Sequence, residues 1–372
     1  MAPPSVAPGR PVPRGFPPRA APGSFPPVRR PLLLLVALLL AHGALLLVRP
    51  PGATVADDSE GLDIGVVFDV GGRGDKSFND GAYLGGMRAA RDLGARVRFI
   101  EPGEGADREA GLRSLAAQGM DLVIGVGFIF TDDILALARE YPGTRFADVD
   151  MAVATDSAGR PLPLPTNLVA LKFREEEGSF LVGALAARVG GSKTVGFVGG
   201  MDIDLIHKFE AGFRAGVRHE CPDCRVLVSY AGVTPEAFRN PGRGKELALA
   251  MYNQGARVIY HASGSTGLGV FEAARATGRL AIGVDADQYA EAPGFVLTSM
   301  VKGIDEAVYQ AIRAVQAGTF AGGVRELGVA EQGVGYVYDA NNRALIPAAV
   351  RARLDTLTAD IVAGRITVPS TR

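Results

Sequence analysis

From Asp63 onward, short apolar runs rich in β-branched residues alternate with longer segments of helical period. Runs at Ile64–Phe68, Val97–Ile100, Leu122–Val126, Arg145–Val149 and Leu168–Lys172 predict a first series of strands. Runs at Thr194–Val198, Val226–Tyr230, Val258–His261, Ala281–Val284 and Phe295–Thr298 predict a second. Helical patterns fall between them, among them Asn79–Leu93, Glu175–Val189 and Leu205–His219. In Ile304–Ala317 the apolar positions Ile304, Ala307, Val308, Ala311, Ile312 and Val315 keep the i, i+3, i+4, i+7 spacing of one helix face. Near-continuous apolar strands separated by helices predict parallel sheets covered on both faces. Ten strands divide more naturally into two lobes of about five than into one sheet.

The pattern before Asp63 is different. Residues 32–48 are apolar apart from His42 and Gly43, and Arg29 and Arg30 stand just ahead. A basic flank followed by such a run reads as a secretory signal or a signal anchor. Its seventeen residues fall short of the roughly 20 that a span needs. The acids that follow, Asp57, Asp58 and Glu60, orient the body outside the cytoplasm. Small residues at Thr54-Val55-Ala56 offer cleavage after Ala56. Cleavage and retention both remain open, so N-terminal membrane association is one of the two outcomes.

Composition narrows the classes. A chain of 372 residues suggests two domains. Residues 1–50 carry six arginines and no acid, which leaves 33 basic against 40 acidic residues beyond them. Such a body is a poor match for nucleic acid. The two cysteines, Cys221 and Cys224, lie far beyond the apolar run, so no lipid-modified cysteine follows it and the chain is not a lipoprotein by sequence. A redox C-x-x-C opens a helix after a strand, whereas this one closes a helix. A second pair for zinc is missing, and four histidines offer little for another metal site. In an exported protein the pair reads as a local structural disulfide.

In open parallel sheets, ligands bind beyond the carboxyl ends of the strands. The residues there are Asp69 after the first strand, Gly127-Phe128 after the third and Asp150 after the fourth. In the second series they are Gly199-Gly200-Met201 leading to Phe209, then Ser263-Gly264, Asp285, and Lys302 beyond the last strand. Carboxylates, glycines, aromatics and one lysine thus collect on one edge. The loop Gly71–Ser77 is not a phosphate loop, because Asp75 separates Gly74 from Lys76 and Ser77 stands where a dinucleotide fingerprint needs its third glycine. A neutral ligand with donors for the carboxylates fits better. The sequence offers no G-x-S-x-G and no Ser/His/Asp arrangement. His207 lies near Phe209 and reads as a lone surface histidine, with a place in the cleft as the alternative, whereas His219 and His261 read as structural. The pattern points to binding without catalysis and calls for no cofactor.

Six segments resemble the basic membrane protein family of extracytoplasmic substrate-binding proteins. They are DKSFND at Asp75–Asp80, EGSFLVGALAA at Glu177–Ala187, FEAGFRAGV at Phe209–Val217, GVDADQY at Gly283–Tyr289, LTSMVK at Leu297–Lys302 and GRITVP at Gly364–Pro369. The resemblance covers about residues 62–369 and implies a type I periplasmic-binding-protein fold. Two Rossmann-like lobes would be joined by a three-segment hinge, with crossovers near 172, 296 and 323. The lobes would be 62–172 with 296–322, and 173–295 with 323–345, followed by a C-terminal helix and tail over 346–372. The resemblance implies a monomer that delivers a purine nucleoside to the permease subunits of an ABC importer. The alternative is a membrane-tethered sensory receptor with the same cleft. Carried over by position, Asp69 would hold the base edge, and Phe78 and Phe209 would stack on the base. Asn79, Phe128, Asp150 and Gly264 would join them, with Asp285 and Lys302 at the ribose. Two local departures stand out. Arg73 sits at the expected mouth, where it would admit an anionic substituent, and Asp148 competes with Asp150 for the ligand carboxylate.

Overall fold

A computed structural model of the chain describes residues 61–103, 108–189 and 191–372. The apolar run 32–48 and the cleavage point after Ala56 lie outside the described residues. Among the described residues, no helix is long and apolar enough to cross a membrane.

The first lobe opens with β1 (Asp63–Val67), α1 (Phe78–Leu93), β2 (Arg96–Ile100), α2 (Arg108–Ala117), β3 (Leu122–Val126), α3 (Thr131–Glu140), β4 (Arg145–Val149) and β5 (Leu168–Phe173). The second repeats the scheme with α4 (Glu175–Val189), β6 (Thr194–Met201), α5 (Asp204–Glu220), β7 (Arg225–Gly232), α6 (Pro241–Asn253), β8 (Val258–Ala262), α7 (Gly267–Thr277), β9 (Leu280–Asp285) and β10 (Val296–Lys302). The chain closes with α8 (Ile304–Gln316), β11 (Gly323–Leu327), β12 (Val334–Tyr336) and α9 (Ala348–Val362). The sheets run β11-β5-β4-β3-β1-β2 and β12-β10-β9-β8-β6-β7, six strands each. Every pairing is parallel except β12 on β10. Central strands such as β3 are buried throughout, because helices cover both faces of the sheet. The edge strand β2 instead alternates with arginines at 96 and 98.

The lobe boundaries differ from the expected ones. β10 runs to Lys302 within the second sheet, parallel to β9 and antiparallel to β12. The chain therefore crosses at Gly303, not at 296. β11 pairs in parallel with β5 and extends the first sheet, so the last crossing follows Leu327 and not 323. The first crossing falls at Arg174, after β5 ends at Phe173. An apolar run signals a strand, but which sheet edge it covers depends on partners far away in sequence.

The crossings are tied to one another. Arg174 donates to Glu177 at 2.7 Å and also binds Glu331. The Val329 N–H donates to Glu177 at 2.7 Å, and the Gly303 N–H to the Gly333 carbonyl at 2.8 Å. Helix α8 returns to pack on α1 of the first lobe, while α9 packs on α4 of the second. The α4–α5 pair is especially close. A Cβ at Gly216 would strike the Phe180 carbonyl, so glycine there is what lets the two backbones approach.

Candidate functional site

In each sheet the strand order reverses around the first strand, β1 in one and β6 in the other. The crevice beyond the carboxyl ends at such a switch point is where open parallel sheets hold ligands. Here residues from the two crevices line one shared cavity. Asp69, Phe78, Asn79, Phe128 and Asp150 line it from the first lobe. Phe209, Gly264, Asp285 and Lys302 line it from the second. All nine residues singled out from the sequence meet around this cavity.

Lys302 is its electrostatic centre. The ammonium is buried and sits 2.6 Å from Asp150 Oδ2 and 3.0 Å from Glu175 Oε1. It also lies 5.3, 4.9 and 5.6 Å from the ring centres of Phe78, Phe173 and Phe209. Burial disfavours its charge, but the carboxylates of Asp150, Glu175 and Asp285 outweigh that and hold its pKa above the ordinary value. It donates to Asp150 and is ion-paired with Glu175. Glu175 has no exposed surface and is gripped from the other side by Lys208 Nζ at 2.5 Å. Burial penalises its charge, yet the two lysines keep its pKa below the usual range.

The carboxylates facing the cavity differ in their partners. Asp69 accepts from the Val70 N–H at 2.5 Å, and burial pushes its pKa up to about 7. A Cβ at Gly127 would collide with the Asp69 carboxyl, and Gly127 holds a φ of 119°, so glycine is required there twice over. Asp285 accepts from Ser77 Oγ of the opposite lobe at 2.5 Å. Burial raises its pKa to about 6, opposed by Lys302 and by that hydrogen bond. Asp150 and Asp285 both occupy the left-handed region, with φ of 66° and 65°, which aspartate tolerates better than most residues.

The DKSFND segment is mostly scaffold. Asp75 accepts from the N–H groups of Ser77, Asn79 and Asp80 at 2.9, 2.8 and 3.2 Å, capping α1. Asn79 donates to Asp75 at 3.1 Å and accepts from the Asp69 N–H at 3.0 Å. Asn79 thus holds Asp69 in place, and the ring of Phe78 lies over the Lys302 ammonium.

Two sequence suggestions do not reach the cavity. Asp148 is fully buried in β4 against Gly125, where burial and then the charges of Asp150 and Asp69 drive its pKa well up. Asp150, two residues on, takes the cavity position. Arg73 stacks its guanidinium 3.8 Å from the centre of the Tyr83 ring and is not among the lining residues. His207 lines an adjoining space on the hinge side, with Nε2 2.6 Å from Asp202. Cys221 and Cys224 are bonded to each other between α5 and β7, away from the cavity.

Sequence reasoning missed Phe238 and placed Ser263 at the sheet edge without giving it a role; both line the cavity. Phe238 lies six residues past β7, too far for a strand-end rule to reach it. Hydroxyls of the next loop bolt it down: Ser265 Oγ donates to the Phe238 carbonyl at 3.0 Å, and Thr266 Oγ1 to the Ala237 carbonyl at 2.7 Å. Ser263 adjoins Gly264 and was legible only as part of a glycine loop.

A family model described as ABC transporter substrate-binding protein PnrA-like matches residues 63–371. An uncharacterised lipoprotein of Pyrococcus abyssi is 36% identical over 299 residues, covering 77% of this chain and 71% of its own. Basic membrane protein A of Borreliella burgdorferi is 30% identical over 302 residues, covering 80% and 85%. The crystal structure of an ABC transporter solute-binding protein from Aeropyrum pernix superposes with a TM-score of 0.74 at 31% identity, covering 84% of this chain and 94% of that one. The two-lobed type I periplasmic-binding fold is thus shared with a solved solute-binding protein. Two of these relatives are called a lipoprotein or a membrane protein, whereas the first cysteine of the present sequence is Cys221.

Proposed function

The chain belongs to the PnrA-like family of ABC transporter substrate-binding proteins, and we propose that its ligand is a purine nucleoside. Membership implies a small-molecule ligand and permease partners. The nucleoside reading rests on one observation above the others: aromatic rings from both lobes, Phe78 and Phe209, line one cavity together with the carboxylates of Asp69, Asp150 and Asp285 and the ammonium of Lys302. A base stacked on such rings gains about 1–3 kcal/mol per base. Asp69 accepts from amino or ring N–H donors of the base. Asp285 accepts from sugar hydroxyls, and Lys302 donates to a sugar oxygen in charge-assisted bonds. Rings on opposite lobes make stacking favour closure by hinge motion. The protein works outside the cytoplasm, carried there by residues 32–48.

No turnover is part of this reading. Ser263 and His261 form a hydroxyl–imidazole pair at 3.3 Å. Burial holds the imidazole pKa down to about 4, which makes it a weak base for activating a hydroxyl.

The test is calorimetric titration of protein unfolded and refolded to strip carried ligand, against adenosine, guanosine, inosine, cytidine and uridine. Micromolar or tighter binding of purines over pyrimidines, with no base released on long incubation, supports the proposal. A folded sample that binds none of the five overturns the nucleoside reading.

A further inference from the structure

We propose that Ser263 is an acceptor-only contact for the ligand, its polarity set by a buried relay through His261 and Gln288 to the opposite lobe. The inference rests on reading the interlobe cavity as the ligand site. The chain of argument starts at Gln288, which is buried. Its Nε2 donates to the Lys76 carbonyl of the first lobe at 2.9 Å. Its Oε1 accepts from the Val284 N–H at 2.8 Å. A carbonyl can only accept and a backbone N–H can only donate, so these two partners together settle which end of the amide is oxygen. The Gln288 N–H, given to Ser299 Oγ at 3.0 Å, holds the residue in this position.

The same Oε1 lies 3.1 Å from His261 Nε2. Facing an acceptor, Nε2 must carry the hydrogen. His261 has no exposed surface and is neutral at physiological pH, burial having lowered its pKa to about 4. A neutral imidazole with Nε2 protonated has a bare Nδ1. Ser263 Oγ lies 3.3 Å from that nitrogen and therefore spends its hydrogen there. Ser263 lines the cavity, and its hydroxyl has only lone pairs to offer a ligand. It pairs with a ligand hydroxyl, amino or ring N–H, and it opposes a ligand carbonyl or bare ring nitrogen in the same place, because two acceptors would face each other without a proton.

The first readout needs no ligand. Imidazole 15N spectra of the full chain, with His261 assigned by its loss in His261→Phe, should give Nε2 protonated and Nδ1 bare, unchanged from pH 8 to pH 5. An Nδ1-protonated ring overturns the relay. The second readout is calorimetry with the nucleosides that the wild type binds and with their deoxy and N-methyl analogues. Ser263→Ala should weaken binding about 3- to 10-fold, the worth of one hydrogen bond, and Ser263→Thr should restore it. One analogue that lacks the matching donor should lose affinity for the wild type but lose no more for Ser263→Ala. Unchanged affinity of Ser263→Ala for every ligand overturns the contact. If the wild type binds no nucleoside, the functional reading fails by itself, and the relay stands or falls on the imidazole tautomer.

Discussion

The two lobes are the same scaffold with different chemistry at matching places. Each orders its first five strands as 5-4-3-1-2, and each adds one late strand outside the fifth. Asp150 after β4 and Asp285 at the end of β9 are counterparts, both left-handed, and each reaches across the cleft. Asp150 takes Lys302 of the second lobe, and Asp285 takes Ser77 of the first. Elsewhere the counterparts diverge. After β1 stands the carboxylate Asp69, while β6 runs on through glycines at 199 and 200. After β3 stands an aromatic ring, Phe128, while β8 is followed by Ser263 and Gly264. The backbone repeat supplies two facing crevices, and the departures from the repeat make one crevice unlike the other. An asymmetric ligand, with a flat face at one end and hydroxyls at the other, suits such a site.

Removing the charge that joins the lobes should have the largest effect. Lys302→Met leaves Asp150 buried without its cation and Glu175 with only Lys208. The expected loss is about 3–5 kcal/mol of stability in urea denaturation, together with ligand binding. A loss below 1 kcal/mol would mean that the lobes do not depend on this pair. Next comes the aromatic contribution. Phe209→Ala and Phe78→Ala should each weaken nucleoside binding by about 1–3 kcal/mol in calorimetry. Phe209→Ala should also lower the melting temperature more, because Phe209 is buried and Phe78 half-buried. Equal affinities before and after substitution would remove the stacking role.

The carboxylates separate the ends of the cleft by pH. Asp69, raised to about 7, loses its charge as the pH falls through that value. Affinity for a base that donates to it should drop about tenfold per pH unit below 7, and Asp69→Asn should abolish that step. In the ligand-free protein the sign reverses. The unfolded chain ionises this group near 4, so its raised pKa costs stability above that pH. Asp69→Asn should therefore raise the urea midpoint more at pH 8 than at pH 5. The smallest effect belongs to the interlobe hydrogen bond. Ser77→Ala removes the hydroxyl that donates to Asp285 across the cleft. All ligands should weaken together by about 0.5–1.5 kcal/mol, without a change in their ranking.

Much of the architecture could be read locally. Short continuous apolar runs between segments of period 3.6 place the strands to within a few residues, because burial between helix layers leaves its mark on each segment separately. The strand-end acids and glycines pointed to the cleft for the same reason. Other features had no local signature. The α4–α5 segments that carry the family resemblance largely encode a close helix crossing, with Phe209 as their cavity residue. Phe238 reaches the cavity only because hydroxyls of another loop hold its turn.

By itself the sequence determined the order of the first ten strands and the two-lobed α/β class, since each depends on spacing within a few tens of residues, and the family resemblance picked out nine of the residues that line the cavity. Tertiary structure alone decided which sheet receives β10 and β11, that Asp150 and not Asp148 faces the cleft, and how the polar groups pair. Lys302 meets Asp150 across 152 residues, Ser77 meets Asp285 across 208, and Gln288 meets Lys76 across 212. Hydrogen bonds and ion pairs form between groups brought within about 3 Å, and that proximity is a property of the folded chain, not of any stretch of it.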